Sequence, residues 1–382
     1  MKKKSAAQAC LVGSAPGRGT GGGRARRTVA VRVGRLTVGG GAPVSVQSMT
    51  KTDTRDVGAT VRQLRALARA GCEIGRVAVP DRGALAAFAR IRAKVALPLV
   101  ADIHFDHQLA IACIEAGADK VRVNPGNIGG TARLQEVGRR ALARGCALRV
   151  GVNAGSLERE IFARHGGATP PALVESARRA IADLEAVGFT AIVVSLKASS
   201  VPHTIAAYRL AARALRYPLH LGVTEAGFGL AGVVKSAIGT GALLADGIGD
   251  TLRVSLTDSP LAEVRVGREI LAALGLRRTG VEIVSCPTCG RCGVDLQRTA
   301  RAVRRSLADV SEPLTVAVMG CPVNGPGEAK AADVGLAGGR GKAVLFARGQ
   351  VLKTVPESRM IAELTDAVRQ EAARRVRARG GG

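Results

Sequence analysis

From residue 43 onward, short runs rich in Val, Ile and Leu alternate with longer stretches in which apolar residues recur every three or four positions. The short runs read as buried strands and the longer stretches as amphipathic helices. Strands are expected at 43–49 (Pro-Val-Ser-Val-Gln-Ser-Met), 74–79, 98–103, 120–124, 147–152, 191–197, 220–225 and 251–256. Between them Val57, Val61, Leu64 and Leu67, and later Leu173, Ala177, Ala180 and Leu184, each trace a single helix face. Eight successive βα units over roughly 240 residues match the size and alternation of a (β/α)8 TIM barrel. A doubly wound parallel sheet is the structural alternative.

After about residue 280 the pattern changes to that of a smaller α/β (α+β) unit. Its expected elements are a strand at 281–284, a helix at 294–308, a strand at 315–320, a hairpin of 342–348 and 350–355 around Arg348-Gly349, and a final helix at 357–375. The chain thus divides into a basic extension at 1–27, a barrel at 28–280, a second unit at 281–368 and an Arg/Gly-rich tail at 369–382. Both ends are expected to be disordered, because Gly/Arg-rich stretches cannot bury enough apolar surface to fold.

An apolar content of 47% over 382 residues is ample for two cores, yet aromatics make up only 2% and Trp is absent. Cores must therefore be filled by Ala, Val, Leu and Ile, and recognition of single-stranded nucleic acid by base stacking is disfavoured. A formal net charge of +26 raises a nucleic-acid reading, since clustered Arg and Lys neutralise phosphates. The excess is mostly Arg spread over many segments and thickens at the two ends, and a preference for anionic substrates is consistent with it. No uncharged apolar run is long enough to span a membrane, and the basic start lacks the apolar stretch of a secretory signal. Eight cysteines, several in metal-like spacing, suit a reducing cytoplasm better than a disulfide framework.

Polar residues close nearly every expected barrel strand, at the end where barrel enzymes assemble their sites. They are Gln47 and Ser48, Arg76, Asp102 and His104, Arg122 and Asn124, Arg149 and Asn153, Lys197, Thr224 and Glu225, and Arg253 and Ser255. Each alone has an ordinary explanation as a strand-end cap. In phase, Arg76, Arg122, Arg149, Lys197 and Arg253 make a site for a multiply charged oxyanion, because guanidinium forks match phosphate oxygens. The Gly-rich segment 124–130 adds backbone N–H groups of the kind that receive phosphate.

A second chemistry lies in the cysteines of the smaller unit, Cys286-Pro-Thr-Cys289 and Gly320-Cys321-Pro-Val-Asn-Gly-Pro-Gly-Glu328. Three thiolates from two loops favour zinc or an iron-sulfur cluster. No His follows His220, so the fourth ligand is either Cys292, which would complete a ferredoxin-like run, or Glu328, which would leave one metal with a labile oxygen ligand. Spacing alone leaves both the metal and the fourth ligand open.

These stretches, together with Val46-Gln-Ser-Met-Thr50, Ala101-Asp-Ile-His-Phe105, Val121-Arg-Val-Asn-Pro-Gly-Asn-Ile-Gly129, and the runs 217–227 and 247–256, resemble the 4-hydroxy-3-methylbut-2-en-1-yl diphosphate synthases of the methylerythritol phosphate route to isoprenoids. The resemblance runs from about residue 28 to 368 and matches the short bacterial form, without a domain inserted between barrel and second unit. It implies a [4Fe-4S] cluster held by Cys286, Cys289, Cys321 and Glu328. It also implies that 2-C-methyl-D-erythritol 2,4-cyclodiphosphate is opened and dehydroxylated with two electrons from ferredoxin or flavodoxin. Arg76, Arg122, Arg149, Lys197 and Arg253 would hold the diphosphate. Asp102, His104, Asn124, Asn153, Glu225 and Ser255 would bond substrate hydroxyls or move protons, with Glu225 as the acid. The family arrangement is a homodimer in which the cluster domain of one subunit caps the barrel of the other. The alternative from another class is a basic zinc-binding protein that associates with nucleic acid through its tails.

Overall fold

A computed structural model describes residues 26–277, 280–321 and 329–380. The expected basic extension therefore lies almost wholly outside the described residues, as does Glu328. The chain separates into two compact units, Met1–Arg277 and Arg278–Gly382.

The first unit opens with an antiparallel hairpin, β1 (Val31–Val33) and β2 (Leu36–Val38). The βα units then follow as β3 (Ser45–Met49), α1 (Val57–Arg69), β4 (Ile74–Ala78), α2 (Arg82–Arg92), β5 (Leu99–Asp102), α3 (His107–Glu115), β6 (Lys120–Val123), α4 (Thr131–Arg144) and β7 (Ala147–Asn153). A short α5 (Arg159–Arg164) precedes α6 (Pro170–Glu185), β8 (Ile192–Lys197), α7 (Val201–Ala214), β9 (His220–Leu221), α8 (Gly229–Ala245), β10 (Thr251–Leu252) and α9 (Pro260–Ala273). Side chains cap six of these helices at their starts: Asp56, Asp81, Asp106, Thr169, Ser200 and Ser259 accept hydrogen bonds from first-turn N–H groups.

All eight strands from β3 to β10 are parallel, bonded in the order β8-β7-β6-β5-β4-β3-β10-β9. The ring closes where Val194 of β8 bridges Leu219 and its N–H donates to the Pro218 carbonyl at 2.8 Å. This is a (β/α)8 barrel, and every strand sits where the hydrophobic pattern places it. Two are shorter than expected. β9 and β10 are regular for two residues each because the chain beyond them turns away into Gly222 and Arg253, and Glu225 takes a left-handed φ of 53°.

The sequence walk begins at residue 43 and misses the β1–β2 hairpin. Its Val31, Val33 and Val38 pack against Ile74, Val100, Ala147 and Val193 near the strand starts. The hairpin is thus a plug for the N-terminal end of the barrel, leaving the opposite end for polar groups. Three-residue strands are too short to show a period in sequence.

The second unit is a five-stranded sheet, in order β11 (Val281–Ser285), β12 (Leu314–Met319), β13 (Val334–Gly338), β14 (Lys342–Ala347) and β15 (Gln350–Pro356). The first three strands are parallel and the last two antiparallel. Helices α10 (Leu296–Ser306) and α11 (Met360–Gly380) pack through Val303, Leu364 and Val368 onto Val316, Leu336 and Leu345. β13 is missing from the sequence expectation because Val334-Gly-Leu-Ala-Gly338 carries two glycines, which weaken any strand signal. Both are needed for packing: a Cβ on Gly335 would lie 2.2 Å from the Phe346 ring, and one on Gly338 2.6 Å from Val294.

The expected disorder after residue 368 is corrected. Helix α11 continues to Gly380, and its basic residues find carboxylates. Arg374 and Arg375 both pair with Glu371, Arg375 also with Asp333, and Arg379 with Glu312. Leu364, with no solvent exposure, anchors the helix. Leu364→Ala is expected to cost the second unit about 2–4 kcal/mol while leaving the barrel's unfolding transition in place, a difference that denaturant titration followed by unit-specific probes will register.

Candidate active site at the barrel mouth and the cysteine loops

Alternation along the barrel strands turns one side chain inward for each aliphatic neighbour turned toward the helices. Val121 and Val123 bury outward while Arg122 points in, and Leu148 and Val150 do the same around Arg149. Register aligns Asp102 with Arg122 and Arg122 with Arg149. Arg76, Asp102, Arg122, Arg149 and Lys197 are all buried in consequence.

Asp102 is the hub of the cluster. Its carboxylate pairs with Arg76 at 2.7 Å and with Arg122 at 3.8 Å, and meets His104 Nε2 at 3.1 Å. Burial alone would raise its pKa, but Arg76, the His104 hydrogen bond and Arg122 outweigh burial and hold the group well below the usual carboxylate range. Arg122 also donates from Nη2 to the Gly151 carbonyl at 3.2 Å. In the amide orientation that pairs both of its ends, Asn153 accepts from the same Nη2 at 3.0 Å. Asn124 donates to Ser156 Oγ at 2.7 Å, which leaves its Oδ1 without a partner.

A second anchor was not legible in the sequence. Glu263, in the first turn of α9 and 1% exposed, accepts from Ser48 Oγ and from the Leu256 N–H. It pairs with Lys51 at 3.3 Å and Arg253 at 3.6 Å. The available clue was a carboxylate on the apolar face shared with Val264 and Gly267, where a lone charge would otherwise be costly.

The cations outnumber these carboxylates. Arg149 has no carboxylate partner among the described residues, and its Nε and Nη1 are buried without any hydrogen bond. Burial, then Arg76 and Arg122, destabilise its charge. Lys197 is pushed well down by burial and by Arg149, Arg253, Arg76 and Arg122 in turn. A guanidinium does not give up its proton at neutral pH. The cluster therefore has a standing demand for an anion.

Glycines supply the room. A Cβ on Gly151 would lie 2.6 Å from Arg122 Nε, and one on Gly222 2.8 Å from Lys197 Nζ and 2.7 Å from the Arg253 carbonyl. Glu225 and Ser255 stand on neighbouring loops. Among the described residues neither is tied into the cation cluster. Glu225 is exposed and strained at positive φ, as residues at functional sites often are. Phe105, Phe162 and Phe228 are 69%, 50% and 76% exposed on loops and helices that follow barrel strands, an apolar rim that sequence reading did not single out.

In the second unit β11 and β12 are adjacent and parallel, with Ser285 opposite Val318. Cys286 and Cys321 therefore leave neighbouring strand ends although they are far apart in sequence. The Gly320 N–H donates to Cys286 Sγ at 3.4 Å. Cys321 is buried, Cys289 is exposed, and Cys286 lines a cavity of about 280 Å³ with Pro287, Thr288 and Leu296. The backbone and side chain of Arg291 hold the Cys289 thiol below its ordinary pKa. Among the described residues no three His, Cys, Asp or Glu side chains gather round one point. Cys292 is differently placed: its thiol donates to the Val294 carbonyl at 3.1 Å, and a Cβ on Gly320 would lie 2.5 Å from its sulfur. It packs against the loop instead of presenting a free sulfur.

Fold and site together define a (β/α)8-barrel protein with an anion-binding mouth, followed by an α/β unit that presents thiolates. Residues 28–268 match the GcpE TIM-barrel domain and residues 282–370 the GcpE protein C-terminal domain. The chain belongs to the GcpE family. It is 56% identical over 334 residues to a protein of Geobacter sulfurreducens named 4-hydroxy-3-methylbut-2-en-1-yl diphosphate synthase (flavodoxin), covering 87% of this chain and 95% of that one. Proteins of the same name from Caldanaerobacter subterraneus subsp. tengcongensis and Thermodesulfovibrio yellowstonii are 54% and 52% identical, covering 87% and 90% of this chain and 94% and 99% of theirs. The nucleic-acid alternative receives no support.

If Gly222 is the space that lets Lys197 reach the mouth, Gly222→Ala will weaken binding of the cyclodiphosphate about tenfold or more, by displacing a charge-assisted contact. Its melting temperature should stay close to that of the parent. Calorimetric titration alongside a thermal melt separates this from general destabilisation.

Proposed function

We propose that this protein converts 2-C-methyl-D-erythritol 2,4-cyclodiphosphate to 4-hydroxy-3-methylbut-2-enyl diphosphate, with two electrons delivered through a [4Fe-4S] cluster held by Cys286, Cys289, Cys321 and Glu328. The observation that carries the reading is the buried excess of cations at the barrel mouth, where Arg149 Nε and Nη1 have no hydrogen-bond partner among the described residues, in a chain of the GcpE family. The relatives' names point to flavodoxin as electron donor, and ferredoxin is the alternative of the same kind.

Arg76, Arg122, Arg149, Lys197 and Arg253 grip the cyclic diphosphate and stabilise the charge that develops on phosphate oxygen as the ring C–O bond breaks. Asp102 keeps Arg76 and Arg122 oriented before substrate arrives, so little reorganisation accompanies binding. Its contact with His104 Nε2 fixes the imidazole for hydrogen bonding to a substrate hydroxyl. Asn124, Asn153 and Ser255 bond the remaining hydroxyls, and Glu225 protonates the hydroxyl that leaves as water. When bound, the cluster supplies the electrons and a Lewis-acidic iron. The reading includes a homodimer in which the partner's cluster unit caps the barrel, supported by the exposed rim of Phe105, Phe162 and Phe228.

Anaerobically purified protein is expected to contain about four irons and four sulfides per chain and to turn over the cyclodiphosphate with reduced flavodoxin. Cys321→Ser should lose the cluster, while Cys292→Ser should retain both iron and turnover. Stoichiometric zinc without sulfide after attempted reconstitution would overturn the assignment.

A further inference from the structure

Below the mouth, the barrel interior holds polar groups that the reaction does not use. Lys120 is on β6, two residues before Arg122 and on the same inward face, with no solvent exposure. Its Nζ has no hydrogen-bond partner, and neither end of the Gln47 amide nor either ring nitrogen of His220 has one. His220 is likewise fully buried, and Gln47 is 1% exposed. Among the described residues no carboxylate pairs with Lys120.

A buried ammonium without a partner is costly and ordinarily gives up its proton. We propose that Lys120 is a latent cation of the diphosphate site: neutral in the empty barrel, it becomes protonated when a dianion occupies the arginine cluster above it, so that substrate binding takes up a proton. The proposal rests on the cyclodiphosphate reading above and deepens it.

The surroundings of Lys120 explain the direction. Burial, then Arg149 on β7 and Arg76 on β4, push its pKa down to about 7, and only Cys146 acts the other way. Cys146 is itself pushed up to about 12 by burial, so it is an uncharged thiol. Arg122 lies above Lys120 on its own strand. The buried group on β9, His220, is driven toward its neutral form by burial and by Arg149, Lys197, Lys120 and Arg76. Asp102 on β5 is committed to Arg76, Arg122 and His104. Lys120 therefore faces positive charge from its neighbours with nothing left over to balance it. Two residues of strand are about 7 Å, so a phosphate held by Arg122 and Arg149 is within about 10 Å of Nζ. Two negative charges at that distance raise a lysine pKa by roughly two units in a partly desolvated site.

The sign follows from linkage. Below pH 7 Lys120 is charged with or without ligand and contributes no proton uptake. Above pH 7 it is neutral in the free barrel and charged in the complex, so binding takes up a proton and affinity falls as pH rises. Lys197 is also depressed and can add an uptake of its own, so the quantity that reports on Lys120 is the difference between parent and variant.

The test is calorimetric titration of the oxidised holoenzyme with the cyclodiphosphate, without electron donor, in pairs of buffers of low and high ionisation enthalpy. Both phosphates of this ligand are diesters, so it has no group that titrates between pH 6 and 8. At pH 8 Lys120→Met should bind with about one proton less taken up than the parent, and at pH 6 the two should not differ. Lys120→Arg, permanently charged, serves if the Met variant does not fold, and should likewise lack about one proton of uptake. Binding with zero uptake by the parent at pH 8, or equal uptake by parent and variant, overturns the latent cation and leaves the substrate assignment intact. Failure of the cyclodiphosphate to bind at all overturns both.

Discussion

The constraint on which the rest of this molecule depends is the burial of more positive than negative charge inside a closed parallel barrel. Arg76, Arg122, Arg149 and Lys197 lie where most barrels place Val, Ile or Leu. Asp102 and Glu263 offset part of that charge, each serving two cations and further donors at once. A scaffold that tolerates the remainder must be stable for other reasons. Here the stability comes from the outward faces of the same strands, whose aliphatic residues form one continuous core with the surrounding helices. The barrel holds its cations ready at the cost of an unfilled demand for an anion.

Space is handled by the same logic. Gly151 and Gly222 sit inside the barrel because Arg122 and Lys197 need the volume a methyl group would occupy, and Gly320 serves Cys292 in the second unit. None of these three takes a left-handed φ. Their glycine identity reflects the close approach of a side chain and not backbone freedom. The left-handed position that does matter is Glu225, a non-glycine residue held at φ 53° on the loop after β9, where strain and proposed proton transfer coincide.

The second unit solves a different problem. Residues far apart in sequence leave the same end of its sheet, because parallel pairing of β11 with β12 puts the start of the Cys286 loop beside the start of the Cys321 loop. The donor set is then refined by small contacts. A backbone N–H supports Cys286, Arg291 supports Cys289, and Val294 occupies the thiol of Cys292. The arginines of α11 neutralise the acidic residues around the sheet instead of forming a free basic tail.

Much of this was legible in the chain itself. Strand and helix periods marked all eight barrel strands, and the polar residues ending them named the five mouth cations and Asp102, because alternation is a local property that survives in sequence. The Cys286-Pro-Thr-Cys289 pair stands out in the sequence because its spacing is local, whereas Cys321 comes from a distant loop. What only tertiary structure decided was partnership. The pairing of Asp102 with Arg76 and Arg122, the capture of Lys51 by Glu263, the seating of Cys292 against Gly320 and the plugging of the barrel by a hairpin of three-residue strands all join residues far apart along the chain. The same is true of Lys120 and His220, which in sequence are one more surface lysine and one more histidine. Whether a charged side chain is solvated or buried without a partner depends on what other strands bring beside it, and no local pattern encodes that.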